Sequence, residues 1–248
     1  MILYFSGTDN SKHVAESMKD PRTVDIKDAL QKKKCGFTLK ENESVGIVCP
    51  VYYSGIPKTV LEFISHMKLK GYITYLYAIL THGGGPGASG NMLRKALKKK
   101  GYPLHACFDV KMPSNYIMFG PLGEEEEEKQ RIIDAEPVIE KIRESVIAQM
   151  HEIPDWSKMD CLLSDAMYPL CNHYMSTKKF YADDRCVGCG VCASRCPSKC
   201  IEMIDGKPVW TKNKCVRCMA CLRCNAVQYG KKTQTYRRYA YKKIHAET

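Results

Sequence analysis

The chain has 248 residues, 44% of them hydrophobic, with a formal net charge of +11 and 14 cysteines. It is long enough to bury one sizeable core and a smaller second one, and no apolar run approaches the roughly 20 residues that a membrane helix needs. Met1–Phe5 reads as a buried strand rather than a signal peptide, so a cytoplasmic chain is expected, whose cysteines serve metal or catalysis rather than disulfides.

The charge is uneven: residues 1–150 carry 21 basic and 18 acidic side chains, and residues 151–248 carry 17 and 9. The first 150 residues alternate apolar runs with amphipathic stretches, the pattern of a helix-covered parallel sheet. Strands are expected at Ile2–Phe5, Thr23–Ile26, Ser44–Cys49, Tyr75–Leu80 and His105–Val110. Helices are expected at Ser11–Lys19, Thr59–Met67, Asn91–Lys100 and Glu124–Gln149. The last opens on five glutamates, which suit a helix N-terminus, and holds Pro137, a candidate kink or break. Residues 151–180 have weak periodicity but many aromatics, so they read as a linker packed on its neighbours. A second, small α+β domain is expected over 181–235, followed by a basic tail, 236–248.

In the first strand–helix junction, Ser6-Gly7-Thr8-Asp9-Asn10-Ser11 offers hydroxyls and backbone N–H groups at a helix N-terminus, an anion cradle. It lacks the GxGxxG and Walker endings. Two further loops follow apolar strands, where ligands of parallel sheets bind. One is Pro50-Val51-Tyr52-Tyr53-Ser54-Gly55-Ile56-Pro57, with aromatic faces for a flat ring. The other is Thr81-His82-Gly83-Gly84-Gly85, whose glycines let backbone lie against a ligand. Together the three loops point to an aromatic cofactor bearing a phosphate.

The second domain carries Cys186-x2-Cys189-x2-Cys192-x3-Cys196-Pro197 and, 29 residues on, Cys215-x2-Cys218-x2-Cys221-x2-Cys224. The first is the bacterial [4Fe–4S] run. Three cysteines in seven residues, twice over, favour iron–sulfur chemistry over zinc, which takes separated pairs. In two-cluster ferredoxins the fourth cysteine of each run ligates the other cluster. One cluster is then expected on Cys186, Cys189, Cys192 and Cys224, and the other on Cys215, Cys218, Cys221 and Cys196. Cys224 comes one residue early, without a following proline. Cys200 reads as a small buried hydrophobe, and Cys35, Cys49, Cys107, Cys161 and Cys171 as free thiols. Asp205-Gly206 is a hairpin turn between Ile201–Ile204 and Lys207–Trp210.

The F-S-G-T-D-N-S turn resembles the flavodoxin phosphate loop, and P-V-Y-Y-S-G-I-P and T-H-G-G-G resemble the loops that hold the flavin ring. With both cysteine runs, the chain resembles the fused flavodoxin–ferredoxin family. That resemblance implies a flavodoxin-like doubly wound sheet followed by a two-cluster ferredoxin domain. It implies FMN, with its phosphate on Ser6, Thr8, Asn10 and Ser11 and its ring near Tyr52, Tyr53 and Gly83–Gly85. Asp9 stands where the family has glycine; Asp tolerates a positive φ, but its charge beside a phosphate is expected to weaken binding. The expectation is an electron carrier linking FMN to two [4Fe–4S] clusters, with redox proteins as partners and neither membrane nor nucleic acid. The tail residues Lys231, Lys232, Arg237, Arg238, Lys242 and Lys243, with Tyr236, Tyr239 and Tyr241, are either a docking strip for an acidic partner or a solvated end. The alternatives are a ferredoxin fused to a flavin-free interaction module and an iron–sulfur redox sensor.

Overall fold

The computed structural model describes residues 1–118, 120–171 and 173–241, with the side chains of 170 and 171 set apart; Lys242, Lys243 and the Cys171 thiol lie outside it. The first part of the chain runs β1 (Ile2–Tyr4), α1 (Asn10–Ser17), β2 (Thr23–Asp25), α2 (Ile26–Gln31), β3 (Gly36–Thr38), β4 (Val45–Pro50), α3 (Lys58–His66), β5 (Lys68–Lys70), β6 (Leu76–His82), α4 (Ser89–Lys98), β7 (Ala106–Lys111) and α5 (Glu125–Ile147). It continues through α6 (Lys158–Cys171), β8 (Phe180–Ala182), α7 (Val191–Ser194), β9 (Ile201–Ile204), β10 (Lys207–Trp210) and β11 (Val227–Tyr229).

Five strands form one parallel sheet in the order β2-β1-β4-β6-β7. Counted along the chain, this is the 2-1-3-4-5 order of the flavodoxin-like fold, whose switch point lies between the first and third strands. The expected α/β architecture is therefore present. Alternation along each strand feeds two cores. Leu3, Ile47 and Ala78 pack beneath α2, α3 and α4 with Ala29, Phe63, Leu93 and Leu97. Ile2, Val48 and Ile79 pack beneath α1 and α5 with Val14, Ile132, Ile139 and Ile142.

The differences from expectation are local. The second strand stops at Asp25, whose carboxylate accepts from the Lys27 N–H at 2.8 Å and caps α2, a helix the sequence pattern did not suggest. A small parallel pair, β3 with β5, was also unexpected. Pro137 neither ends nor divides α5, which is anchored on both sides of it by Ile132, Ala135, Ile139 and Ile142. α6 arises inside the stretch read as aperiodic. Its inward positions are Cys161, Ser164 and Tyr168, small or polar, whereas Met159, Leu162, Leu163 and Met167 face solvent.

Within residues 180–229, β8 pairs with β11 and β9 with β10, both antiparallel. Asp205 and Gly206 both have positive φ (47° and 73°), as the tight turn requires. Phe180, Met219, Leu222 and Val227 form a third, small core with Ile117. Among the described residues no helix is long and apolar enough to cross a membrane.

The N-terminal ammonium lies 3.0 Å from Asp20 and 3.3 Å from Glu43, and Glu43 also pairs with Arg22 at 3.0 Å. Burial pushes the Glu43 carboxyl up, but the Lys40 N–H, the ammonium and Arg22 outweigh it and hold the carboxyl below its ordinary 4.5. A lowered acid stabilises the fold above its unfolded pKa, and that contribution is lost as pH falls through the folded value. Denaturant melts of Glu43→Gln should therefore show a smaller loss of stability than the parent between about pH 5 and pH 3. Equal losses would remove Glu43 from the acid response.

Candidate functional site

The loops that end β1, β4, β6 and β7 converge on one cavity enclosing about 830 Å³ of empty space, part of it open to solvent. Of the residues singled out in sequence, Ser6, Gly7, Thr8, Asn10, Ser11, Val51, Tyr52, Tyr53, Thr81 and Gly83 line it. Its walls are tied to one another: Ser11 Oγ and Thr81 Oγ1 are 2.7 Å apart, and Asn10 Nδ2 donates to the Pro113 carbonyl at 3.0 Å. Asn115 Nδ2 donates to Thr8 Oγ1.

Four residues sit elsewhere. Gly84 and Gly85 are exposed and do not line the cavity. Gly55 closes a reciprocal pair of backbone bonds with Tyr52 and faces Tyr168, whose ring leaves no room for a Cβ. Asp9 has the expected left-handed backbone, φ 73°. Its carboxylate, however, points away from the cavity, to Arg223 at 2.8 Å and Arg195 at 3.8 Å. The expectation that Asp9 opposes a phosphate is thus corrected: two arginines from the cysteine-bearing region take up its charge. Arg223→Ala should destabilise the chain by about 1.5–3 kcal/mol, because a mostly buried carboxylate loses its closer charged donor. A urea midpoint equal to the parent's would contradict this.

His82, within the third of the expected loops, lines the cavity too, as do Ser114, Asn115, Tyr116 and Arg217, none of them expected as a cofactor contact. His82 ends β6 and Ser114–Tyr116 follow β7, so the rule that ligands bind at strand carboxyl ends could have found them. Nothing local signals Arg217. Its Nη1 donates to Tyr53 Oη at 3.0 Å, its guanidinium lies 5.5 Å from the Tyr53 ring centre, and Tyr53 Oη donates to Tyr116 Oη at 2.6 Å.

Cys196, Cys215, Cys218 and Cys221, with Cys200, line a second, mostly apolar pocket closed by Phe180, Trp210 and Leu222, about 390 Å³ of empty space that includes open solvent. Two backbone N–H groups point at its sulfurs, Cys200 N to Cys196 Sγ and Arg217 N to Cys215 Sγ, each 3.3 Å. Cys200 itself is buried beneath Cys196. Burial pushes up the Cys218 and Cys221 thiols, and both are raised further by Cys215 and Cys196 close by. Burial also raises Cys192, with smaller upward contributions from Cys186 and Cys224. Cys189 and Cys224 are exposed. Among the described residues no three His, Cys, Asp or Glu side chains converge tightly enough to hold a metal ion. Cys35, Cys49 and Cys107 lie buried in the sheet region, apart from these loops.

The two cavities share a wall. A Cβ on Gly7 would stand 1.9 Å from the Cys218 carbonyl oxygen. Tyr52 is half-buried; desolvation pushes its phenol up, and among the neighbours that push it further Cys218 comes first. The chain's end reinforces the junction. Tyr239 Oη donates to Asn10 Oδ1, the Tyr241 N–H donates to the Thr8 carbonyl at 3.1 Å, and the Tyr241 ring stacks on His13 at 4.1 Å. Arg237 pairs with Glu128 at 2.7 Å, and Arg238 is buried on Val227 O and Gln228 Oε1. Residues 237–241 are therefore a strap over the Ser6–Ser11 loop rather than a solvated end; Lys231 and Lys232 of the expected strip are exposed, and Lys242 and Lys243 lie outside the described residues.

No protein-family model matches the chain, and no curated protein does. Among solved structures, the Trp repressor binding protein from Bacillus subtilis aligns at 14% identity over 54% of this chain and 93% of its own, with a TM-score of 0.34. Rubredoxin oxygen:oxidoreductase from the anaerobe Desulfovibrio gigas aligns at 17% identity over 58% of this chain and 36% of its own, with a TM-score of 0.30. Likenesses this weak say nothing of function, and the fold assignment rests on the strand order alone.

Proposed function

We propose that the chain is an electron-transfer flavo-iron–sulfur protein, holding FMN in the larger cavity and two [4Fe–4S] clusters on the cysteine loops. The observation that carries this reading is the second cavity, ringed by the crossed set Cys196, Cys215, Cys218 and Cys221 and pressed against the first. A cubane spreads four thiolates around its own volume rather than around one ion. The two N–H groups aimed at sulfur are the kind of bond that tunes a cluster's potential.

The residues of the first cavity fit FMN. Thr8, Asn10 and Ser11 are buried polar groups at the α1 N-terminus, where backbone N–H groups and the helix dipole favour a phosphate. Tyr52 and Tyr53 offer faces for the ring. When bound, FMN accepts electrons in pairs or singly, whereas each cluster passes one. The chain's own contribution is position: Gly7 lets the Cys218 backbone abut the phosphate loop. Cys186, Cys189, Cys192 and Cys224 would hold the outer cluster, with Cys189 and Cys224 at the surface for exchange with a redox protein. The flavin-free alternative rested on the Asp9 charge, which Arg195 and Arg223 take up.

Anaerobic reconstitution followed by iron, sulfide and flavin assays tests the reading. About eight irons and one FMN per chain are expected. Iron without flavin after FMN is added, or flavin without iron, would reduce the protein to one half of the proposal.

A further inference from the structure

We propose that Arg217 is a flavin-site residue supplied by the cysteine loop, and that filling the Cys196/Cys215/Cys218/Cys221 cavity and filling the flavin cavity strengthen each other. The proposal rests on the flavin and cluster reading above and adds to it a coupling between the two sites. Arg217 lies between two of the cysteines, and its own N–H donates to Cys215 Sγ at 3.3 Å. Its side chain leaves the loop and enters the other cavity, where Nη1 holds Tyr53 Oη at 3.0 Å and Nη2 lies 3.1 Å from His173 Nε2. One residue thus touches both sites, one through its backbone N–H and the other through its guanidinium.

The loop's shape depends on being held. Arg217 and Met219 both have left-handed backbones, φ 57° and 62°, which non-glycine residues adopt only when their surroundings impose it. Cys215, Cys218 and Cys221 flank these residues, so cluster ligation would fix the bend at every third position. Released from the cluster, the loop can relax, withdrawing Arg217 from Tyr53 and the Cys218 carbonyl from Gly7. Both changes open the wall against which a flavin would lie. Linkage is reciprocal, so a bound flavin must in turn retain the cluster.

Two measurements test this. FMN affinity, read by quenching of flavin fluorescence, is compared in anaerobically cluster-loaded protein and after removal of the clusters by a chelator. A loss of about tenfold is expected on cluster removal, within the usual range of such couplings. Cluster-loaded Arg217→Gln should keep its iron but bind FMN as weakly as cluster-free parent, and Arg217→Lys should recover part of the affinity. In the reverse direction, FMN should slow iron release to the chelator several-fold in the parent and not in Arg217→Gln, a readout that needs no cluster-free protein. Equal FMN affinity with and without clusters, together with iron release indifferent to FMN, overturns the coupling but leaves both cofactors in place. Absence of FMN binding in every form overturns the flavin reading itself, and the coupling with it.

Discussion

Gly7→Ala is expected to abolish FMN retention and to lower stability by about 1–3 kcal/mol, the usual cost of forcing atoms into a packed interior. The added Cβ would fall 1.9 Å from the Cys218 carbonyl oxygen and 2.9 Å from its carbon. Both are backbone atoms, so no side-chain rotation relieves the clash. Either the phosphate loop or the cysteine loop must shift. A shift of the first spoils the arrangement of Thr8, Asn10 and Ser11; a shift of the second carries Arg217 out of the flavin cavity. Flavin content after gel filtration and a denaturant melt measure the two effects. Gly84→Ala is the control: nothing lies within 4 Å of its added Cβ, and neither quantity should change. A Gly7→Ala protein with full flavin content would mean that the two loops are not in contact in solution.

The second large effect concerns the crossing of the cysteine runs. With the fourth ligands exchanged, Cys196 belongs with Cys215, Cys218 and Cys221, the set that lines one cavity. Cys196→Ala should lower iron from about eight to about four per chain. Adding Cys215→Ala should remove no more, because both substitutions strike the same cluster. Adding Cys186→Ala instead should remove nearly all of it. An uncrossed arrangement reverses the two double variants. The early position of Cys224 makes its partner set the more sensitive test. With the fourth ligands exchanged, Cys224→Ala should cost the iron held by Cys186, Cys189 and Cys192.

How much of this was legible in the chain depended on the range of the interactions. The sheet could be read because each strand is a short apolar run, such as Val45–Pro50, and local composition suffices to mark it. Most of the cavity lining could be read because Ser6–Ser11 and Val51–Tyr53 follow strands directly. Arg217 could not, since it meets Tyr53 across 164 positions and its C-V-R-C context says only that cysteines are near. The same holds for Tyr239, which reaches Asn10 from 229 residues away. Composition marked that end as a basic docking strip or a solvated end, whereas Tyr239, Tyr241 and Arg238 are buried. Asp9 shows the limit of reading a charge by its neighbours in sequence: the phosphate turn is adjacent, but the side chain turns to Arg223. α6 was hidden because its inward stripe is Cys161, Ser164 and Tyr168, only Ser164 of them fully buried, which hydrophobic periodicity does not detect.

The central claim is that a flavin and two clusters exchange electrons within one chain through the contact of the Cys218 loop with the phosphate loop. The direct measurement is anaerobic flash reduction of FMN in the reconstituted protein, followed by optical bleaching and electron paramagnetic resonance of the clusters. Electrons placed on the flavin should reach the clusters at a rate that does not change with protein concentration. A rate that rises in proportion to concentration, or clusters that stay oxidised while the flavin is reduced, would contradict the account.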